Sequence, residues 1–214
     1  AQESKSNLFI YTIKLSRLMY LALLLVAMPI IVYTEYILDL WLIETPDDTA
    51  LFVRLVMVHL IIRAPQSAID LLFASLNKMK RYQIIQSISL FLSLPLSYVL
   101  LKIGFPVYWA FISMCIVEAI TLFAIVFCAK VEFGFSIYDY WNQFLKMELI
   151  SIPIFTVMGF IIYKILIPSN FLTFALFFSL SVILEVMLTY ILFLSHEERC
   201  FIKSIIDKKL KKQY

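Results

Sequence analysis

The chain has 214 residues, of which 63% are hydrophobic and only 15% charged, with a net charge of +3 and a mean hydropathy of +0.93. No soluble domain of this size needs such a composition, which belongs to a chain with apolar runs that cross a bilayer. Three cysteines, Cys115, Cys128 and Cys200, and three glycines suggest neither a disulfide framework nor a glycine zipper between helices.

Six apolar runs follow one another, at 17–38, 50–76, 83–102, 108–129, 148–167 and 170–194. Each reaches the ~20 residues that a helix rising 1.5 Å per residue needs to span a hydrocarbon core. The first closes on an acidic loop with Glu44, Asp47 and Asp48, the second on a basic turn from Asn77 to Arg81. The third ends at Gly104 and Pro106, the fifth between Pro168 and Asn170. Pro29, Pro65, Pro95 and Pro153 lie inside runs, where each is expected to kink its helix. The fold class read from this pattern is an all-α integral membrane protein.

The second run carries what a membrane penalises. A charge at the bilayer centre costs about 2.5 to 3.5 kcal/mol on insertion scales, yet Arg63, Gln66, Ser67 and Asp70 sit near the midpoint. At 100° per residue, His59, Arg63, Gln66, Ser67, Asp70 and Asn77 fall within about 60° of Arg63 on a continuous helix. Such a face turns to a bundle interior, a partner or a water-filled path. Arg63 can hold a phosphate or carboxylate in a planar fork; alternatively it pairs with an acidic residue and only fixes helix orientation.

In the third run, Gln86, Ser89, Ser93 and Ser97 form a small-residue stripe that admits close approach of another helix. Glu118 lies at the midpoint of the fourth run and Glu185 in the second half of the sixth. With Asp70, these two are the candidates for ion coupling or for pairing with Arg63. Residues 131–147 mix Phe133, Phe135, Tyr138, Tyr140, Trp141 and Phe144 with charges, the make-up of an interfacial helix. The basic tail 196–214 is expected to rest on an anionic leaflet.

Lysine and arginine set the orientation. Lys5, Lys14, Arg17, Lys78, Lys80, Arg81, Lys130, Lys146, Arg199, Lys203, Lys208, Lys209, Lys211 and Lys212 fall on one side, against Arg54, Lys102 and Lys164 on the other. The positive-inside rule then puts both ends of the segment in the cytoplasm, which an even number of spans allows. No metal-ligand spacing and no phosphate-binding glycine loop occurs, so no cofactor is expected and enzymatic chemistry is not.

The stretch Ile37 to Trp41, ILDLW, and the stretch LLFASLNKMKRYQIIQSISLFLSLPLSYVLLKIG from Leu71 to Gly104 resemble the C-terminal half of Wzx-type polysaccharide flippases. These belong to the MOP superfamily, with MATE and MurJ proteins as cousins. The basic turn followed by Tyr82, Gln83 and Ile84, and the run Leu94 to Tyr98 ending in Leu101 to Gly104, carry the likeness most clearly. It covers residues 4 to 130 by motif and the remainder by span layout. Ile43 stands where the family often has Gly, and Asn77 where Gly commonly precedes the Lys. The resemblance implies six helices forming most of one lobe of a two-lobed, alternating-access transporter whose other helices lie earlier in a longer protein. It also implies an undecaprenyl-diphosphate-linked oligosaccharide as cargo, the bacterial inner membrane as location, and polysaccharide polymerase or glycosyltransferases as partners. Arg63 would then take the diphosphate, and Gln66, Ser67 and Asn77 the sugar hydroxyls. Two other readings stand beside this one: a MATE-like drug or lipid exporter, and a non-transporting scaffold of a polysaccharide-assembly complex.

Overall fold

In a membrane, apolar segments can satisfy their backbone internally only as helices or closed barrels, and among the described residues every regular element is helical. A computed structural model describes residues 2–165, 170–194 and 199, with side chains from residue 7 onward. The expected basic tail, with His196 and Cys200, falls outside these residues except for Arg199. The elements are α1 (Gln2–Val32), α2 (Thr34–Trp41), α3 (Thr49–Arg63), α4 (Gln66–Ser75), α5 (Met79–Ile103), α6 (Tyr108–Phe133), α7 (Ile137–Tyr140), α8 (Lys146–Ile165) and α9 (Phe171–Leu188). A π-helical turn, Trp141–Leu145, joins α7 to α8, and another, Thr189–Phe193, closes α9. Six spans result: Asn7–Val32, Thr49–Ser75, Met79–Ile103, Tyr108–Phe133, Ile137–Ile165 and Phe171–Phe193. This is the make-up of a multi-pass membrane protein.

α1 is the central post, against which α3, α4, α8 and α9 all pack, while α6 ties α3 to α5. Its buried face, Tyr20, Leu24 and Ala27, meets Ile69 and Phe73 of α4, Phe144 of the first π-turn and Phe155 of α8 in one core. Tyr20 meets Phe144 edge-on, with ring centroids 5.8 Å apart. By contrast, only 6% of the α5 apolar window is buried against 44% for α6, so most of α5 faces away from these six helices. Its one attached side is the small-residue stripe. Ser89 bonds Thr121, and Ser97 bonds Ser113 at 2.9 Å, so the stripe seats α6 as expected.

Several boundaries move from their expected places. The first helix begins ten residues before 17 within its span, and is interrupted at Tyr33 before α2. Pro29, Pro95 and Pro153 lie inside uninterrupted helices, because a lost amide in one turn leaves the remaining bonds intact. Only at Pro65 does a helix break. Residues 131–147 do not make a separate interfacial helix. Their first residues finish α6, and Gly134, at φ +76°, supplies the left-handed cap. The remainder leads into the fifth span, with Phe135, Tyr140 and Phe144 buried in the core.

Ion pairs tie the two ends. At the basic end Glu132, its side chain only 10% exposed, receives Arg81 and Lys78, which fastens the α4–α5 turn to the end of α6. At the opposite end Arg54 donates to Glu35 at 2.9 Å and to the Ile31 carbonyl, and the Tyr163 hydroxyl reaches the other Glu35 oxygen at 3.4 Å. Arg54 and Glu35 are well exposed, so the pair itself contributes little to stability.

Candidate functional site

The break in the second span organises the polar residues. Pro65 has no amide to donate, and the amides beyond it reach back three residues instead of four: Ser67 to Ala64 and Ala68 to Pro65, both at 3.3 Å. The single polar face expected from residue 59 to 77 divides, since Gln66 and Ser67 stand about 100° apart around the helix. Arg63 and Ser67 are exposed, whereas Gln66 is 1% exposed and Asp70 half-buried. Asn77 is not on the helix at all. It stands in the turn after α4 at φ +59°, the left-handed conformation that Gly adopts freely and Asn tolerates best among the other residues.

Turned inward, Gln66 starts a network across three helices. Its amide nitrogen donates to the Glu118 backbone carbonyl at 3.4 Å, and its oxygen accepts from Gln86 at 2.6 Å. The Gln86 amide nitrogen also donates to the Tyr82 hydroxyl at 3.2 Å. Tyr82 packs on Phe73 and lies within electrostatic reach of Asp70, Arg63 and Glu118. One oxygen of Asp70 and one of Glu118 are buried without a hydrogen-bond partner among the described residues. Buried polar atoms normally find partners, so the two orphaned carboxylate oxygens beside one network make it the candidate site.

Three of the sequence candidates, Gln66, Asp70 and Glu118, thus come together. Arg63 does not pair with Glu118: among the described residues no carboxylate oxygen lies within 4.0 Å of its guanidinium. Glu185, 1% exposed in α9, belongs to a different region, since α9 packs on α1 and α8 and not on α4 to α6. Tyr82 and Gln86 were legible only as part of a basic turn and a packing stripe. Their spacing of four residues on α5 was the available signal. Glu148 was also hidden, being two residues from Lys146 and apparently at a span boundary. It is 8% exposed, in a region where Tyr20 bonds Ser151 at 2.6 Å and the Tyr140 hydroxyl is buried without a partner among the described residues.

Replacing Gln66 with leucine is expected to destabilise the protein by about 1 to 2 kcal/mol, because Gln86 and the Glu118 carbonyl lose a buried partner. The Gln66→Leu/Gln86→Leu double replacement should cost less than the sum of the singles. Unfolding in mixed detergent micelles measures both, and strict additivity would refute the network.

Compared with family models, curated proteins and solved structures, the chain matches none.

Proposed function

We propose that this chain is part of a lipid-linked oligosaccharide flippase that moves undecaprenyl-diphosphate-linked glycans across a bacterial inner membrane by alternating access. It is a carrier rather than an enzyme, with both ends of the segment on the cytoplasmic side by the positive-inside rule. One observation carries the reading: Arg63 is exposed at the middle of a membrane-spanning helix, with Ser67 exposed one turn on, and no carboxylate within 4.0 Å among the described residues. Lipid does not tolerate a bare guanidinium at that depth. A cavity wall that receives a diphosphate does, because the planar fork matches phosphate oxygens. The motif resemblance around the basic turn points the same way, and Asp70 and Glu118 supply the ion-coupling groups.

A second reading is favoured by the orphaned oxygens of Asp70 and Glu118, which suit a path for a cationic drug. Proteoliposomes holding the intact protein distinguish the two. The flippase translocates a fluorescent polyprenyl-diphosphate oligosaccharide and ignores a lipophilic cation such as ethidium. Movement of the cation alone would overturn the assignment.

A further inference from the structure

Resting on the transport reading for its consequence but not for its geometry, the following concerns the helix break itself. α1 packs on both α3 and α4, while α6 packs far more on α3 than on α4. The two halves of one membrane span therefore share α1 and differ in their hold on α6. Between them, Ala64 still bonds Leu60 at 2.9 Å, but the next two amide bonds are stretched to 3.3 Å and reach three residues back. Into this weakened turn comes one group from outside the span. Ser16 of α1, fully buried, donates its hydroxyl to the Pro65 carbonyl at 3.2 Å.

We infer that the Ala64–Pro65 break is a hinge, and that the Ser16 hydroxyl is the latch that holds it in the form seen here. A carbonyl that receives a buried side-chain donor is stabilised where it stands, and a turn closed by long bonds bends more easily than a regular helix. The polar residues straddle the hinge: Arg63 ends α3, and Gln66, Ser67 and Asp70 begin α4. Bending at this point therefore moves the guanidinium relative to the Gln66–Gln86–Tyr82 network, as a carrier that alternates its access requires. Ser16 acts as a positioning residue, through the backbone of Pro65 and not on any cargo.

Spin labels at Val56→Cys and Leu71→Cys, positions 38% and 55% exposed on the two halves, report the hinge by pulsed dipolar spectroscopy. The sample is the intact protein in nanodiscs, with its other cysteines replaced by serine. The parent protein should give one main distance population, broader than a rigid helix gives. Pro65→Ala should narrow it, Ser16→Ala should add or enlarge a second distance population, and Ser16→Thr should restore the parent pattern. Ser16→Gly serves where Ser16→Ala does not fold. A parent distribution as narrow as that of Pro65→Ala overturns the hinge, and one that Ser16 replacement leaves unchanged overturns the latch. The flippase reading fails separately: proteoliposomes that move no oligosaccharide lipid refute it, while the distances still decide the hinge.

Discussion

Arg63→Ala abolishes surface polysaccharide in cells that depend on the intact protein, while the protein stays in the membrane at its normal amount. Removing a charged, two-pronged donor from a diphosphate contact forfeits about 1.5 to 3 kcal/mol, or about ten- to a hundredfold in transport. Arg63→Lys should recover only part of this, since an ammonium keeps the charge and loses the fork. Because Arg63 is exposed and has no ion-pair partner among the described residues, its loss leaves no buried charge behind. Stability should therefore be nearly unchanged, and that separates a cargo contact from a structural pair. Quantitative staining of the polysaccharide together with membrane immunoblotting reads both. Normal polysaccharide in Arg63→Ala cells would end the assignment of this residue.

Gly159→Leu destabilises the bundle by about 1 to 3 kcal/mol, the usual cost of forcing extra atoms into a packed contact. A Cβ at this buried position would stand 2.6 Å from a methyl carbon of Val32, so α1 and α8 touch where Gly159 has no side chain. One turn further along α8 is Tyr163, whose hydroxyl meets Glu35. Spreading the helices at Gly159 should therefore also pull apart the contact at that end. The obstacle is a side chain and not backbone, which gives the test its control: Val32→Ala in the same chain should restore part of the lost stability. Detergent-induced unfolding followed by circular dichroism supplies the values, and equal effects with and without Val32 would show that the contact is not the cause.

The two expectations differ in how far the residues alone disclosed them. Arg63 stood out because an arginine in a largely apolar run is costly wherever the helix points. Gly159 gave no such signal: a glycine in an apolar run reads the same whether it faces lipid or another helix. The stripe Gln86, Ser89, Ser93 and Ser97 lay between these cases. Its periodicity announced a close neighbour, and the neighbour proved to be α6 through Ser89–Thr121 and Ser97–Ser113. In the aromatic segment 131–147 composition did not say which rings are buried, and only the packing of Phe135, Tyr140 and Phe144 in the core shows it.

What the amino-acid sequence determined by itself is the helical class, the six spans and the presence of polar groups at membrane depth. These follow from local quantities, namely hydrophobic length and the cost of a charge in hydrocarbon, which need no knowledge of neighbours. What only the tertiary structure decided is which of those groups meet. Gln66 and Ser67 stand about 100° apart around the helix, and only the packing shows that Arg63 and Ser67 lie outward while Gln66 turns in to Gln86 and the Glu118 carbonyl. Glu185, a candidate beside Glu118 in the sequence, is set apart from it because α9 lies against α1 and α8. Depth is written in one dimension, and contact between side chains depends on the other two.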